Sequence, residues 1–306
     1  MTADARHRLR LMAAFAVVYI VWGSTYLGIR IGVMDIPPAL LSGVRNTIAG
    51  LVLMLIAGAR GQPLPRHPRD WLHALVMGIL LVTLGNGLVT WGEVYVQSNQ
   101  AALIATTSAL WVAWFGTFGP KGHPLSWRAK LGLVLGFIGA ILMLMPDNHF
   151  SFDHFGAQLV ILLSTLCWGA GVIYGRSFKV SVSPLMLSAM LLFTGGLLLI
   201  ILGVAAGEPA GWHWSVRGMG ALAYLTVFGS CLAYSTYVWL IHHTTPDKLS
   251  TTAYVNPAIA LVLGWLALGE DVTGLRLLGM LVILLGVLLV STRYRVPLRR
   301  WLKTGV

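Results

Sequence analysis

The sequence predicts an all-α polytopic membrane protein whose ten transmembrane helices form two five-helix inverted repeats. Hydrophobic residues make up 57% of the 306 residues and charged residues only 10%, and the mean hydropathy is +0.79. Long apolar runs recur along the whole chain, and residues of the first half reappear in the second. A soluble enzyme carries about a quarter charged residues, and disorder requires low hydrophobicity. Both classes are excluded.

Each predicted crossing is an apolar run that ends at charged or Pro- and Gly-rich residues. A hydrocarbon core about 30 Å thick requires roughly 20 helical residues per crossing. The runs cover residues 11–29, 38–57, 72–92, 99–118, 130–146, 156–175, 184–206, 218–240, 249–268 and 274–292. Their connections are too short to hold a soluble domain. We therefore predict one membrane unit, with a first repeat at 1–146 and a second at 147–306.

The formal net charge of +11 is an orientation signal once the crossings are assigned. With a cytoplasmic N-terminus, the inner segments hold all of the 21 Lys and Arg except Arg30, Arg45, Arg217 and Arg276. Most of the acidic residues fall in the outer segments. Cytoplasmic segments are enriched in Lys and Arg, so we expect both termini in the cytoplasm and the chain in a bacterial inner membrane. Nucleic-acid binding is not expected.

Comparison of the two halves gives the repeat its orientation. The odd number of crossings in each half makes the second copy enter from the opposite side, and inverted repeats of this kind are typical of transporters. At a shift of 146 the recurrent residues are Trp22-Gly23 with Trp168-Gly169, Arg30 with Arg176 and Pro38 with Pro184; at 147 they are Gly132 with Gly279 and Gly139 with Gly286.

Several motifs together resemble the EamA type of the drug/metabolite transporter superfamily, across nearly the whole chain. They are the W-G-S-T-Y-L-G-I-R run from Trp22 to Arg30, Pro37-Pro38 with Arg45, the group Tyr254, Asn256 and Pro257, and Glu270 followed by Gly279 and Gly286. The resemblance implies ten helices, one central cavity between the halves, and export of amino acids or related small metabolites. Within that family the chain is similar to the aromatic and neutral amino-acid exporters.

Polar stripes indicate where a substrate path lies, because polar side chains in a bilayer face the bundle interior or a wet cavity. The third crossing carries Thr83, Asn86, Thr90 and Glu93 on one face, and the eighth carries Thr226, Ser230, Tyr234 and Tyr237. These stripes are interpreted either as two walls of one cavity or as interhelical hydrogen bonds that hold the bundle together.

Aromatic residues near mid-helix add to the cavity hypothesis, since an indole offers a ring face and an N–H that needs a partner. Core packing is the alternative for each of them. The predicted substrate-binding residues are Trp22, Tyr26, Asn86, Thr90, Thr107, Trp111, Trp168, Ser230, Tyr234, Tyr237, Tyr254 and Asn256.

Arg45 is the costliest residue in the predicted crossings, and it is expected either to pair with Glu93 or to attract a substrate carboxylate. Pro257 frees a carbonyl within the ninth crossing and indicates a bend or a polar contact. Gly132, Gly136 and Gly139 indicate close helix packing.

The sequence shows no clustered catalytic chemistry, metal-ligand spacing or nucleotide motif, so we expect neither an enzyme nor a cofactor. A channel is disfavoured because the sequence shows an inverted repeat instead of charge rings or a filter loop. The expected function is export of neutral amino acids, including aromatic ones, by alternating access in a monomer, with the bilayer as its only other partner. The alternative is export of other amphipathic metabolites or drugs. Facilitated movement is the first expectation for the driving force, and a proton step through Glu93, His242 or His243 is the alternative.

Overall fold

The computed structural model describes residues 3–62, 65–118, 126–144, 152–178, 180–243 and 252–291. Within these ranges the chain is helical and forms no strand. The first half contains α1 (Ala3–Gly32), α2 (Pro38–Ala59), α3 (Pro68–Gly92), α4 (Ser98–Ala105), α5 (Ser108–Phe115) and α6 (Trp127–Leu144). The second half contains α7 (Phe152–Ser177), α8 (Pro184–Ala205), α9 (Val216–Tyr224, Leu225–Ala233 and Tyr234–His243 in succession), α10 (Thr252–Leu268) and α11 (Gly274–Ser291).

Six helices in the described part of the chain are long and apolar enough to cross a membrane. They comprise Leu9–Gly32, Pro38–Ala59, Pro68–Gly92, His154–Ser177, Pro184–Ala205 and Val216–Tyr237. Shorter apolar helical stretches cover Val255–Leu268 and Leu277–Leu289. The predicted membrane-protein class is thus confirmed.

The predicted crossing at 99–118 is not one continuous helix, because it divides into α4 and α5 at two adjacent threonines. The Thr106 hydroxyl donates to the Leu103 carbonyl at 2.7 Å, and the Thr107 hydroxyl donates to the Ile104 carbonyl at 2.8 Å. The backbone N–H groups of both threonines also bond three residues back, as in a turn. Side-chain bonds to nearby carbonyls compete with the backbone hydrogen bonds of the helix. The hydropathy pattern missed the break because hydropathy does not report which carbonyl a hydroxyl bonds.

Helices α3 and α9 each contain a nine-residue π-helical segment, Gly78–Asn86 and Leu225–Ala233 respectively. We call these the two π segments. They lie at equivalent positions of the two sequence halves. Long π segments are rare and occur frequently at functional sites. Neither was predicted from the sequence.

Backbone-to-backbone glycine contacts bring two helix pairs together. In the α2–α8 pair, a Cβ on Gly50 would lie 2.5 Å from the Phe193 nitrogen, and one on Gly196 would lie 2.6 Å from the Thr47 nitrogen. In the α6–α11 pair, a Cβ on Gly139 would lie 2.7 Å from the Gly279 carbonyl oxygen. The expectation that the glycines of the fifth crossing serve close packing is confirmed.

Polar contacts join the helix ends at two places, which we call the Asp35 end and the Asp70 end. At the Asp35 end, Asp35 forms an ion pair with Arg217 at 2.9 Å and accepts a bond from Ser215 Oγ at 2.7 Å. At the Asp70 end, Asp70 accepts bonds from the backbone N–H and the hydroxyl of Ser181. Each contact ties the start of a long helix in one half to the turn before a helix in the other.

Side-chain oxygens cap the N-termini of both α2 and α8. Glu208 accepts bonds from the Leu40 N–H at 2.9 Å and the Ala39 N–H at 3.2 Å, so a carboxylate satisfies the first turn of α2. The Ser183 hydroxyl accepts from the Met186 N–H at 3.1 Å and donates to the side chain of Gln62. These caps fix where α2 and α8 begin, and thereby position the polar side chains along α2.

Candidate functional site

Four of the predicted aromatic side chains meet where α1, α7 and α9 come together. The Trp22 ring is centred 6.5 Å from Trp168, 6.1 Å from Tyr234 and 4.7 Å from Tyr237. The two indoles meet edge to face, with an interplanar angle of 87°. These separations lie in the range where aromatic rings attract one another. We call Trp22, Trp168, Tyr234 and Tyr237 the aromatic cluster; all four are half-buried.

Each tryptophan of the aromatic cluster contacts one π segment. The Trp22 indole N–H donates to the Gly229 carbonyl at 3.3 Å. The Trp168 ring packs on Gly85, where an added Cβ would lie 3.1 Å from its Cε3 atom. The ring approaches α3 this closely because Gly85 has no side chain. The two tryptophans, which correspond at a sequence shift of 146, therefore each lie against the π segment of the opposite half of the chain.

Ser230 and Asn86 were both predicted from the polar stripes, and side chains of α2 connect them in the structure. The Ser230 hydroxyl donates to Asn46 Oδ1 at 2.9 Å, and Asn46 Nδ2 donates to the Ser42 carbonyl at 2.8 Å. The Ser42 hydroxyl then donates to Asn86 Oδ1 at 3.2 Å. We call Ser42, Arg45, Asn46, Asn86 and Ser230 the polar network. It begins one residue from the carbonyl that holds the Trp22 indole.

Arg45 completes the polar network and is almost fully buried, with 2% exposure. One terminal nitrogen donates to Asn86 Oδ1, whereas Nε has no hydrogen-bond partner. Neither Glu93 carboxyl oxygen has a hydrogen-bond partner, so the ion pair with Glu93, one of the two expectations for Arg45, is not formed. Arg45 bonds the nearer amide oxygen of Asn86 instead. A buried cation with an unpaired N–H can bind an anionic group.

Glu93 lies just beyond the end of α3 and is completely buried. Arg30 extends to this turn, where it bonds the backbone carbonyls of Glu93 and Val94, the latter at 2.9 Å. Arg30 therefore donates to backbone carbonyls at the end of α3 and leaves the Glu93 carboxyl group unpaired. The neighbouring Gly92 packs tightly on Ile161, where an added Cβ would lie 2.4 Å from Cγ1. Glu93 is thus an unpartnered acid beside apolar packing.

Thr90 and Thr226 of the predicted stripes make bonds within their own helices, whereas the Thr83 hydroxyl donates to the Gly195 carbonyl of α8 at 3.0 Å. The Thr90 hydroxyl donates to the Asn86 carbonyl at 2.9 Å, and the Thr226 hydroxyl donates to the Leu222 carbonyl at 2.7 Å. Thr90 is fully buried. These threonines belong to the stripes in sequence, but their hydroxyl hydrogens are used in bonds to backbone carbonyls of their own helices.

Thr107 and Trp111 lie in a separate cluster rather than among the four rings. Their shared partner is Thr165 on α7, which bonds the Thr107 hydroxyl at 2.9 Å and accepts the Trp111 indole N–H at 3.0 Å. The Trp111 ring meets Phe137 at 4.9 Å. Tyr26 packs against a third, apolar group that contains Leu103 and Ile104.

Asn256 is half-buried on α10, and its buried Oδ1 has no hydrogen-bond partner. Helix α10 continues through Pro257. The side chain of Tyr254 lies outside the described residues.

Sequence reasoning missed Ser42, Asn46 and Thr165, which connect the predicted residues to one another. Asn46 follows Arg45 directly, and Ser42 precedes Asn46 by one helical turn, so this spacing contained the signal. Thr165 lies in a largely apolar part of α7 and had no partner visible in the sequence. No group of three or more His, Cys, Asp or Glu side chains converges on a metal site within the described ranges.

The model of the EamA-like transporter family matches the chain twice, over residues 10–145 and 155–292. The chain belongs to the EamA-like transporter family. It is therefore a multi-pass membrane transporter of small molecules.

Relatives of this EamA protein match it along nearly their full length. The chain is 36% identical over 288 residues to the uncharacterized inner membrane transporter YedA of Escherichia coli, covering 94% of this chain and 92% of YedA. It is 23% identical to the uncharacterized transporter YoaV of Bacillus subtilis, covering 91% and 96%. A solved crystal structure of a protein, 20% identical, matches with a TM-score of 0.66 over 92% of this chain and 96% of its own, and so shares the fold.

Proposed function

We propose that this protein exports neutral amino acids, including aromatic ones, across a bacterial inner membrane. Transport proceeds by alternating access through a central cavity between two inverted repeats of five crossings. Both termini are cytoplasmic, and one copy of the chain suffices. The observation that carries the proposal is a hydrogen-bonded network that runs from a buried guanidinium, Arg45, to Ser230. Ser230 directly follows Gly229, whose carbonyl accepts the Trp22 indole N–H of an aromatic cluster that the two halves build together.

Contacts that recur between the halves support the inverted repeat. Trp22 contacts the π segment of α9, and Trp168 contacts the π segment of α3. At the helix ends, Asp35 corresponds to Ser181 and Arg217 to Asp70 by the repeat shift, so the Asp35–Arg217 contact matches the Ser181–Asp70 contact. The two matched contacts lie at opposite ends of α2, since Asp35 precedes this helix and Gln62, just after it, bonds Ser183. The two matches of the family model agree with this division.

The same arrangement supports alternating access. Besides the close α2–α8 and α6–α11 packing, polar contacts join the two halves at the Asp35 end and the Asp70 end. Surface polar contacts of this kind can be broken and remade at modest cost. The π segments lie between them, at the level of the aromatic cluster. Transporters of this architecture bind substrate near the midplane and rock one repeat against the other. Opening one end while the other stays joined would expose the cluster to one side.

The polar network and the aromatic cluster together match the two parts of an amino acid. The unpaired Nε of Arg45 is suited to a carboxylate, because charge-assisted bonds to a guanidinium are strong and directional. The aromatic rings are suited to an apolar or aromatic side chain. Other amphipathic metabolites or drugs are the second candidate class, because rings alone select weakly among apolar groups.

The membrane location and orientation rest on composition and on relatives. YedA is named an inner membrane transporter, and this chain covers 92% of its length. The Lys and Arg residues concentrate in the segments that would face the cytoplasm.

Uptake by the purified protein in liposomes tests the proposal. Labelled leucine, phenylalanine and tryptophan should enter protein-containing vesicles saturably, and protein-free vesicles should not take them up. Unlabelled leucine should compete, whereas leucinol, which lacks the carboxylate, should compete poorly. Equal competition by leucinol would contradict a carboxylate site at Arg45. Absence of amino-acid uptake together with transport of apolar cations would favour the second class.

A further inference from the structure

Arg30 and Arg176 correspond at the sequence shift of 146, yet they differ in their contacts. Each lies in the last turn of its helix, Arg30 in α1 and Arg176 in α7. Arg30 donates to the backbone carbonyls of Glu93 and Val94 at the end of α3. Arg176 is exposed and donates no hydrogen bond to the part of the chain that the structure describes. Of two arginines at matched places, only the first has bonding partners there.

The place that corresponds to the Arg30 contact lies on α9. Tyr237 matches Glu93 at the shift of 144 that relates α9 to α3. The charge of Arg176 acts electrostatically on the Tyr237 side chain, although no hydrogen bond joins the two residues. A helical carbonyl has a second lone pair and can accept another donor. Arg176 therefore lies within electrostatic range of the backbone that matches the Arg30 contact, but it does not bond that backbone.

Burial differs between the same two ends of the protein. At the end that we place outside, α3 packs on α7, where a Cβ added to Gly92 would lie 2.4 Å from Ile161 Cγ1. Gln158, one turn earlier on α7, is only 2% exposed. Its counterpart at the shift of 146 is Met12, near the start of α1 at the opposite end, with 68% exposure. The outer end is thus covered where the matching part of the inner end is not.

Two halves with the same fold and opposite orientation can exchange their conformations, and such an exchange reverses which side is closed. The contacts at the Asp35 end and the Asp70 end are both formed here, so they do not select a side. The Arg30 contact and the missing Arg176 contact do differ between the halves. This difference is what an exchange of conformations would reverse.

We infer that Arg30 and Arg176 are alternating latches, positioning residues that hold opposite sides of the transporter closed in turn. This inference rests on the alternating access of the proposed function. In this structure Arg30 bonds the end of α3 and holds the outer side closed. When the inner side closes, Arg176 donates to the Tyr237 carbonyl and Arg30 releases the end of α3. The balance between the two arginines sets which side the cavity faces at rest.

A cysteine placed under the end of α3 reports whether the outer latch is open. Gln158→Cys supplies this reporter, and Cys167→Ser with Cys231→Ser removes the native thiols. Right-side-out membrane vesicles from bacteria that express the full chain are treated with a membrane-impermeant maleimide. The reporter should react slowly while both arginines are present, because Gln158 is buried.

Substitutions of the two arginines should change the labelling rate in opposite directions. Arg30→Gln should raise the rate at least about tenfold, because charge-assisted bonds to two carbonyls are lost. Arg176→Gln should lower it by a similar factor, because the outward-open state loses its latch. The double variant should return close to the starting rate. Arg60→Gln, at an exposed arginine that ends α2, is the matched control and should leave the rate unchanged.

Misfolding cannot produce this pattern. A misfolded protein exposes the reporter, whereas Arg176→Gln is expected to protect it. The double variant is likewise expected to react more slowly than Arg30→Gln alone. Arg30→Lys and Arg176→Lys retain a charged donor, so each should shift the labelling rate less than the corresponding glutamine variant.

Three results would overturn the inference. They are a shift in the same direction for both glutamine variants, an unchanged labelling rate in Arg176→Gln, and a reporter that stays protected in Arg30→Gln. Labelling requires no substrate, so it is independent of the compound that is transported. Opposite shifts together with a failure of the wild type to transport leucine in liposomes would contradict the amino-acid substrate and leave the latches standing.

Discussion

Replacing Gly50 with alanine tests how closely α2 and α8 must approach. A Cβ at Gly50 would lie 2.5 Å from the Phe193 nitrogen and 2.8 Å from the Ala189 carbonyl oxygen. Both atoms belong to the backbone, so no side chain can rotate away. Ordinary contacts of a Cβ begin near 3.4 Å, and the helices must therefore separate by roughly 1 Å, which forfeits a large part of the dispersion energy along the interface.

The expected change in the free energy of unfolding is the result of two opposing effects. Overpacking of this kind costs about 1–3 kcal/mol. Alanine also favours the helix by up to about 1 kcal/mol over glycine. Gly58 lies on the same helix with nothing within 4 Å of its added Cβ, so it gains the propensity term alone. We expect Gly58→Ala to be neutral or slightly stabilising and Gly50→Ala to be less stable than it by roughly 1–3 kcal/mol.

Thermal unfolding of the purified variants in one detergent measures this difference. Loss of the monodisperse peak in size-exclusion chromatography after heating gives the midpoint for each protein. Comparison of the two variants cancels the change in helix propensity. If Gly50→Ala unfolds at the same temperature as Gly58→Ala, the close backbone contact between α2 and α8 does not exist.

Further predictions concern the caps, the polar network and the ion pair. Glu270→Gln should lower stability by about 1–3 kcal/mol because it weakens three bonds to the start of α4, whereas Asp271→Asn should have little effect; equal midpoints would contradict the capping role. Ser230→Ala leaves the buried Asn46 Oδ1 without its donor, so we expect a raised KM for leucine uptake, and an unchanged KM would separate Ser230 from the site. The hydrogen-bonded arginine partner of Asp35 lowers the pKa of that carboxyl from 3.8 to about 2, so the ion pair is fully formed above pH 3.8 and is lost only as the pH falls toward 2. Asp35→Asn should therefore leave the pH profile of transport between about pH 5 and pH 8 unchanged, and a shifted profile would contradict this assignment.

The overall class of the protein was predictable because hydropathy reports directly on the bilayer. Apolar runs located the long helices, and Pro38 and Pro184 marked the starts of α2 and α8. The recurrence of Trp22 as Trp168 also predicted two rings that lie together in the structure. These features depend on residue type and spacing, which a single sequence contains.

Backbone hydrogen bonding was the part that the sequence could not supply. The break between α4 and α5 depends on which carbonyl each of the two threonines bonds. The π segments depend on helix packing, which residue periodicity does not encode. A single sequence likewise does not fix distances between separate helices. Thr107 and Trp111 were therefore grouped with the aromatic cluster, although they bond Thr165 instead. For the same reason Glu93 was considered as the partner of Arg45, which bonds Asn86.

The most direct test of the central claim is leucine and tryptophan uptake by variants of the site in liposomes. Trp22→Ala, Trp168→Ala and Asn86→Ala should each reduce kcat/KM at least about tenfold, which corresponds to a loss of about 1.4 kcal/mol. Trp265→Ala, at a tryptophan with 60% exposure, should transport normally. Normal uptake by all three site variants, at wild-type protein levels in the vesicles, would contradict a substrate site at the aromatic cluster and polar network.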